Sequence, residues 1–433
     1  MNLTILGGGL SGLSLAYFLQ DSNKYDKIMI LEKEERLGGL CRSFTAGDYT
    51  YDIGPHILFA KDKEMLNLLI EWAGKTNKLR RSNRILHKGA YVQYPFENDL
   101  SKLPKEDLDY AVKTFLHNPY SEYVPENMLQ FFLKTFGEGI TNLYLRPYNE
   151  KIWKHDPCFM DTQMVERIPK PTDEELMRSA RGETVDGYVH QLYFDFPSEG
   201  GIESVVKGLI GRLGNKCEIV TGAQVTAIRS ESDGFEIKAG DKVYRSDSLV
   251  STMPLPEFVE IDAEATDDIR VAASDLKYNS IIIALIKARE DLSGENFAFM
   301  TADKSVIFHR ISKIDFLGDA YHQDGAAYMV EVTYRQGDWI DQLSEVDLKN
   351  KIAEGLQKIS FVKETSDATF LNVTKHEYAY VLYDLKHKAN MDLIRKYYCS
   401  RNIYLNGRFG NFEYWNMDRV VRESKNMADK MMF

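Results

Sequence analysis

Three glycines near the N-terminus, Gly7, Gly9 and Gly12, have the spacing of a phosphate-binding turn. They form a GxGxxG motif directly after a short apolar strand and at the start of a helical segment. The first glycine permits a tight turn, the second lets the backbone approach a pyrophosphate, and the third lets helix and strand pack closely. Glu32 ends a second apolar strand twenty positions later, where a carboxylate would accept a hydrogen bond from a ribose hydroxyl. This joint pattern predicts a Rossmann-type dinucleotide-binding unit, and the alternative is a glycine-rich turn with an incidental acid.

A glycine pair, Gly38 and Gly39, follows the acidic residue in the segment ERLGGLCRSF. The order of an acid and then a double glycine resembles flavoproteins of the amine-oxidase and mutase superfamily, which implies FAD. Without that resemblance the pair is equally consistent with a plain turn. The same resemblance implies that the backbone at Val225 holds the adenine. It also implies that the GRFG turn at residues 407–410 passes the flavin's pyrophosphate, where Arg408 adds a cation.

Four further segments resemble UDP-galactopyranose mutases. In YDIGPHILF, Gly54 and His56 match a turn over the flavin ring, and the resemblance implies that the histidine tunes the ring. In LYLRPYNEKIW, Tyr148 and Trp153 would present flat faces to a uracil ring. Aromatic side chains on a helix also fill cores, and a buried histidine is also a common core residue, so both alternatives remain open.

The third segment, ERIPKP, supplies Arg167, which matches a diphosphate-binding arginine of the mutases. Arg310 in FHRISK matches a second one, while the alternative for each is a surface or salt-bridged arginine. Bacterial mutases carry a further arginine where this chain has Pro171. Lys170 would replace it as a point charge without the planar fork of a guanidinium.

The fourth segment, GRFGNFEYWNMDRV, resembles the C-terminal mutase motif. There Tyr414 would donate its hydroxyl to the phosphate next to the sugar, and Met417 and Asp418 would present backbone to the flavin. Asn416 stands where the motif has an aspartate. A further substrate tyrosine is expected at Tyr380, a role that its neighbours Tyr378 and Tyr383 could also fill.

The pattern of elements predicts an α/β fold in three parts. Alternating short runs at residues 218–251 read as strands that return to the first sheet. We expect a discontinuous FAD-binding domain from residues 1–85, 195–255 and 395–433. A mainly helical substrate domain is expected at 86–194, and an antiparallel sheet domain at 256–394.

Composition excludes several classes of protein. The 433 residues carry a net charge of −11, which argues against a nucleic-acid partner. No run approaches the ~20 apolar residues of a membrane span, and no leader peptide is recognised. The four cysteines are scattered, so neither a metal site nor a disulfide framework is predicted. These features predict a cytoplasmic protein with a small-molecule substrate, and they indicate no particular oligomeric state.

The resemblance implies an isomerase that interconverts pyranose and furanose nucleotide sugars, with reduced FAD as the nucleophile at the anomeric carbon. An external reductant such as NAD(P)H would keep the flavin reduced. Two alternatives remain: a flavin oxidase or dehydrogenase of the amine-oxidase or protoporphyrinogen-oxidase type, and a non-catalytic nucleotide-sugar-binding protein. The oxidase predicts an apolar substrate cavity with no need for the arginines.

Overall fold

The computed structural model describes residues 1–165, 168, 170–183, 185, 192–322 and 325–432. Within this part of the chain the strands are β1 Asn2–Leu6, β2 Lys27–Leu31, β3 Ser43–Ala46, β4 Tyr49–Asp52, β5 Thr76–Arg80, β6 Asn83–His87, β7 Ala90–Gln93, β8 Tyr193–Pro197, β9 Cys217–Val220, β10 Val225–Glu231, β11 Gly234–Ala239, β12 Lys242–Ser246, β13 Ser248–Ser251, β14 Lys277–Ala288, β15 Ala298–Thr301, β16 Arg310–Lys313, β17 Ala326–Tyr334, β18 Ala368–Leu382 and β19 Ile403–Leu405.

The α-helices of the described residues are α1 Leu10–Leu19, α2 Lys63–Ala73, α3 Lys105–Leu116, α4 Met128–Ile140, α5 Arg146–Trp153, α6 Asp173–Ala180, α7 Glu203–Ile210, α8 Leu255–Ile261, α9 Asp267–Ser274, α10 Glu345–Lys358, α11 His387–Ser400 and α12 Met417–Met432. None of these helices is long and apolar enough to cross a membrane.

A five-stranded sheet with the order β19-β13-β1-β2-β9 carries the N-terminal glycine motif. All four of its strand pairs are parallel. Its strands are nearly continuous apolar runs because both faces are covered, as parallel sheets require. The helices α1, α2, α7 and α12 pack around one core cluster, and the β10-β11-β12 meander packs in another. The predicted α/β class is confirmed.

A seven-stranded sheet with the order β18-β14-β17-β16-β15-β6-β7 forms the second layer system. Strand β17 is buried at every position, with α10 on one face and the β3-β4 and β5-β8 strand pairs on the other. Two of its strands, β6 and β7, come from residues 83–93 rather than from the expected 256–394. The strands from 256–394 pair with one another in antiparallel fashion, as expected, but β6 pairs with β15 in parallel, so the sheet as a whole is mixed.

A group of helices, α3 to α6, packs against the large sheet, and its core contains stacked aromatic rings. Phe96 stacks on Tyr144 with 4.9 Å between ring centroids, and Tyr144 stacks on Tyr148 at 5.1 Å. The short helix α5 follows directly and contacts β17 of the large sheet. The helical group therefore positions Tyr148 and Trp153 against that sheet.

Close packing of α7 on α2 leads to a prediction about stability. A Cβ atom added at Gly208 would lie 1.9 Å from the Trp72 carbonyl oxygen, so backbone would have to move. We expect Gly208→Ala to lower the free energy of unfolding by about 1–3 kcal/mol, measured from urea denaturation. The matched control is Gly211→Ala, whose Cβ has its nearest neighbour at 3.5 Å. Equal midpoints for the two variants would contradict this account.

Candidate functional site

The N-terminal glycine turn depends on the absence of side chains at two positions. Gly7 has φ +105°, and its N–H donates to the Leu31 carbonyl at 2.8 Å. A Cβ on Gly12 would lie 2.1 Å from the Gly7 carbonyl oxygen, closer than any real contact. The strand β1 and the helix α1 can therefore meet at this sharp angle with glycine and with no other residue.

The double glycine lies against this turn, backbone to backbone. The Gly38 N–H donates to the Gly8 carbonyl at 2.9 Å, and Gly9 forms a parallel bridge with Gly38. A Cβ on Gly39, whose φ is +56°, would lie 3.4 Å from the Gly9 Cα. Two bare backbone segments thus face each other at the N-terminus of α1.

The first turn of α1 lacks the groups that normally satisfy a helix start. Gly9 provides no side-chain cap, so the first N–H groups remain available to an anion. The Ser11 hydroxyl is buried and has no hydrogen-bond partner among the described residues. An unsatisfied buried hydroxyl beside uncapped N–H groups is what a bound pyrophosphate would complete.

Glu32 anchors the glycine turn. Its Oε2 accepts the Gly8 N–H at 2.7 Å, and its Oε1 accepts the Glu34 N–H at 2.9 Å. A carboxylate oxygen accepts more than one hydrogen bond, so a ribose hydroxyl can still bind there. The Ala223 N–H donates to the Glu32 carbonyl at 2.8 Å, which places Val225, the first residue of β10, beside this end of the cradle.

A third segment, after β19, completes the cradle. Gly407 has φ +87°, and a Cβ there would lie 2.6 Å from the Ser11 Oγ. The helix α12 that follows begins at Met417 and packs along α1, where the Ser424 hydroxyl donates to the Ser11 carbonyl at 3.2 Å. Burial raises the pKa of Asp418 in the first turn. The uncapped N–H groups and the close glycine segments fit the pyrophosphate of a dinucleotide such as FAD.

On the large sheet, Arg310 and Glu331 form a buried ion pair. They lie directly opposite each other on β16 and β17, and the Glu331 side chain has 0% exposure. The pairing is bidentate: the Arg310 Nε donates to Oε1, and its Nη2 donates to Oε2 at 2.6 Å. Burial opposes the charge on Arg310, but the Glu331 carboxylate outweighs burial and raises the pKa of Arg310. Arg310 therefore stays charged with one edge already occupied.

The turn at Gly54 and His56 lies against this ion pair. A Cβ on Gly54, at φ +82°, would be 3.4 Å from the Glu331 Oε2. The Nδ1 of His56 is buried without a partner in the described chain. Burial, followed by the charges of Arg408 and Arg310, lowers the pKa of His56 to about 3. His56 is thus neutral near pH 7, so any contact it makes is through a neutral imidazole.

An aromatic cluster lies beside the ion pair. Tyr380 and Tyr414 are near-parallel with ring centroids 6.1 Å apart, and the edge of Trp153 approaches them at 5.9 and 5.6 Å. The Tyr380 hydroxyl lies 3.4 Å from the Arg310 Nη2. Trp153 is 7% exposed, and its Nε1 donates to Asn149. Its indole therefore supports the tyrosines from within the core, whereas the sequence predicted a flat face for a base.

Arg408 connects this cluster to the cradle. Its guanidinium carbon lies 4.3 Å from the centroid of the Tyr414 ring. Its two Nη atoms donate to the carbonyls of Trp415 at 2.9 Å and Ala379 at 2.8 Å, while its buried Nε has no partner in the described residues. The cation is therefore held beside the tyrosines.

Two site residues were missed by the sequence analysis. Glu331 was detectable as the lone carboxylate in the apolar strand AAYMVEVTY, where a charge needs a partner. Arg81 lies over the rings of Phe59 and Tyr94, at 5.3 and 5.8 Å. Burial lowers the pKa of Arg81, and the charge of Arg310 lowers it further. Nothing in its local sequence distinguishes Arg81 from a surface arginine.

The structure therefore brings most of the predicted residues of the reactive side together. These are His56, Tyr148, Trp153, Arg310, Tyr380, Arg408 and Tyr414, joined by Arg81 and Glu331. Arg167 lies outside the described residues. The arrangement combines three guanidinium groups with one neutralising carboxylate, so it favours an anionic ligand in a chain whose net charge is −11. The predicted roles of these residues remain predictions.

The chain is similar to three known proteins. A UDP-galactopyranose mutase of Mycoplasma genitalium is 23% identical over 180 residues, which cover 39% of this chain and 43% of that protein. A crystal structure of reduced UDP-galactopyranose mutase matches 100% of this chain and 95% of its own, with a TM-score of 0.90 and 23% identity. An Exiguobacterium protein, provisionally named a protoporphyrinogen oxidase, matches 100% of this chain and 98% of its own at TM-score 0.80 and 20% identity.

At these identities the structural likeness establishes the fold, and the aligned segment spans less than half of the Mycoplasma mutase. The family is established separately. The sequence pattern described as flavin containing amine oxidoreductase matches residues 10–386, which include the double glycine, the His56 turn and the Arg310–Glu331 strands. Because this match extends over most of the chain and the glycine segments fit a dinucleotide, the protein belongs to the flavin containing amine oxidoreductase family.

Proposed function

We propose that this protein is an FAD-dependent nucleotide-sugar mutase that interconverts pyranose and furanose forms. The observation that carries the proposal is the polar site itself: Arg310, Tyr380 and Tyr414 lie beside the His56 turn. An oxidase of apolar substrates has no use for these groups, whereas a nucleotide sugar brings a diphosphate and hydroxyls that pair with them.

The cofactor would be held by the three glycine segments, with Glu32 on a ribose and the backbone near Val225 on the adenine. When bound in its reduced form, the flavin supplies an electron-rich nitrogen that is nucleophilic toward an anomeric carbon. His56 would approach the ring as a neutral imidazole, donating or accepting one hydrogen bond. Arg408, fixed on two carbonyls, would add positive charge between the ring and the tyrosines.

The diphosphate would be bound by guanidinium and hydroxyl groups. Glu331 occupies the Nε and Nη2 edge of Arg310, so its Nη1 is the donor left for a phosphate oxygen. Arg167 would supply a second cation, as its position in ERIPKP implies. Tyr380 and Tyr414 would donate to the phosphate nearer the sugar. Charge that develops on the departing phosphate is thus met by donors that are already oriented.

The base would stack on Tyr148 rather than on Trp153. One face of Tyr148 is covered by Tyr144, but the residue is only partly buried. Trp153 is buried and acts through the tyrosines that it contacts. Stacking on a tyrosine uses ring area and discriminates bases weakly, so the nucleotide is proposed as uridine by resemblance alone.

The cofactor assignment is tested by purification. The protein should be yellow and should release FAD, not FMN, on denaturation. Gly12→Val should abolish FAD content. An added Cβ would lie only 2.1 Å from the Gly7 carbonyl oxygen, so the side chain would push the glycine turn out of place. Gly211→Ala, away from the cradle, should retain it. A wild-type protein that takes up no FAD in a fluorescence titration would refute the assignment.

The reaction is tested by its dependence on reduction. With a UDP-pyranose substrate under air we expect almost no conversion, because oxidised flavin lacks the nucleophilic lone pair. After chemical reduction, or with NAD(P)H, a product of identical mass should form over many turnovers per reduction, separable by chromatography. His56→Ala should lower this rate more than it lowers FAD content.

An oxidase behaves in the opposite way. It starts from oxidised flavin, consumes oxygen or another acceptor, and changes the substrate mass by two hydrogens. Hydrogen peroxide formed in proportion to any organic substrate, together with no isomerisation under reduction, would replace the mutase proposal by the oxidase alternative that the family permits.

Diphosphate binding is tested at Arg310 with a variant that keeps the buried charge paired. Arg310→Lys should weaken UDP binding about tenfold to a hundredfold by calorimetry, because an ammonium cannot serve Glu331 and a phosphate with a planar fork. FAD content should not change. Arg229→Lys, on the exposed part of β10, is the matched control. Arg167→Ala should give a loss similar to that of Arg310→Lys. UDP affinity equal to wild type in both site variants would refute the role.

A further inference from the structure

A concave site lies where α5 meets α10, and its lining shares no residue with the tyrosine cluster. The cleft has a volume of about 460 Å³ and is enclosed by α5, the turns at 304–307 and 339–340, and α10. Five lysines line it, against two glutamates, Glu150 and Glu354. The chain as a whole has eleven more acidic than basic residues, so the net charge around this cleft is opposite in sign to that of the protein.

Two of these lysines are held at the base of the cleft. Lys151 is 8% exposed, and its Nζ donates to the carbonyls of Asp303 at 2.7 Å and Thr301 at 3.3 Å. These bonds use two of the three ammonium hydrogens, and their acceptors are neutral carbonyls that do not balance the positive charge. Burial lowers the pKa of Lys151 to about 7, and burial also lowers the pKa of Lys154. An anion in the cleft would favour the charged form of both.

The other lysines stand at the rim. Lys304 pairs with Glu150 at 2.7 Å and is 71% exposed, while Lys351 and Lys358 project from α10. The acidic groups that face this end of the cleft are Glu150, Glu354, Asp303 and, near Lys154, Asp338. Three flexible ammonium groups around one opening can bind a phosphate from several sides, as point charges.

An exposed indole adds a flat surface to the same opening. Trp339 is 56% exposed, and the Lys351 Nζ lies 6.0 Å from its ring centroid. Its turn is fixed by Asp338, whose Oδ1 accepts the N–H groups of Ile340 and Asp341 at 2.9 Å each. A large aromatic ring on an ordered turn at the mouth of a cleft offers stacking area to a flat ligand.

We propose that this cleft binds a nucleotide, with the base against Trp339 and the phosphates among Lys304, Lys351 and Lys358. The volume lies within the range of small-ligand pockets, roughly 300–1,000 Å³. The combination of a stacking ring with ammonium groups matches a base linked to phosphates better than a bare anion or an apolar molecule. The proposal does not depend on the mutase activity.

The test titrates the FAD-loaded protein with ADP and follows both tryptophan fluorescence and heat. We expect saturable quenching that Trp339→Phe removes. The double variant Lys351→Ala/Lys358→Ala should bind ADP at least about tenfold more weakly, because two charged phosphate partners are lost. Lys363→Ala, whose lysine pairs with Glu290 on the surface, is the matched control and should bind as wild type does. Arg310→Lys separates this site from the tyrosine cluster, and ADP binding should survive it.

Tripolyphosphate should displace ADP, and raising the salt concentration should weaken both ligands. Equal ADP affinity in the lysine double variant and in Lys363→Ala would overturn the proposal. So would loss of all ADP binding in Arg310→Lys, because binding would then belong to the tyrosine cluster. Binding that persists unchanged in calorimetry with Trp339→Phe would remove the base from the indole and overturn the nucleotide assignment.

Discussion

The buried carboxylate of Glu331 is the constraint on which the reactive side of this protein depends. It lies at full burial in a strand that is otherwise apolar, where an unpaired charge is not tolerated. Its partner, Arg310, comes from the neighbouring strand in direct cross-strand register. The turn at Gly54 packs against the carboxylate, and the Tyr380 hydroxyl lies near both side chains. Removal of one member of such a pair typically lowers the free energy of unfolding by about 3–5 kcal/mol. The pair therefore holds the two strands, the Gly54 turn and Tyr380 in one arrangement.

Pairing also determines what the guanidinium groups can do. Glu331 neutralises Arg310 but orients it, so the entropic cost of ordering the side chain is met in folding and not in ligand binding. Arg408 is ordered by two neutral carbonyls and has no carboxylate partner among the described residues. Two oriented cations thus flank Tyr380 and Tyr414. Arg310 is paired with a carboxylate on one edge, whereas Arg408 is bound to neutral carbonyls. Such an arrangement favours a ligand whose negative charge is divided between two positions, as in a diphosphate.

The sequence was informative where structure is local. The turn at Gly7–Gly12 and Glu32 after β2 could be read directly, because spacing along the chain determines their geometry, whereas the double glycine was assigned through its resemblance to flavoproteins. Contacts between strands of a sheet could not be read from the sequence. Residues 83–87 pair with a strand more than two hundred positions later, and nothing local signals that pairing. The resemblance singled out Trp153 but did not reveal that its indole turns into the core. Glu331 could be recognised as a lone carboxylate in an apolar strand. Its partner Arg310 could be identified only from the register of β16 and β17.

The segment after β19 joins the two halves of the site within a few residues. Gly407 contacts Ser11 at the start of α1, where the proposed pyrophosphate would lie, and Arg408 contacts Tyr414 and the backbone of Ala379. Three residues after Tyr414, α12 begins and packs along α1. A shift of the cradle would therefore move the cation and the tyrosine with it. Since the same turn positions both, the distance from the cradle to Arg408 and Tyr414 is set by a short stretch of chain, whereas Arg310 and Tyr380 depend on the packing of the large sheet.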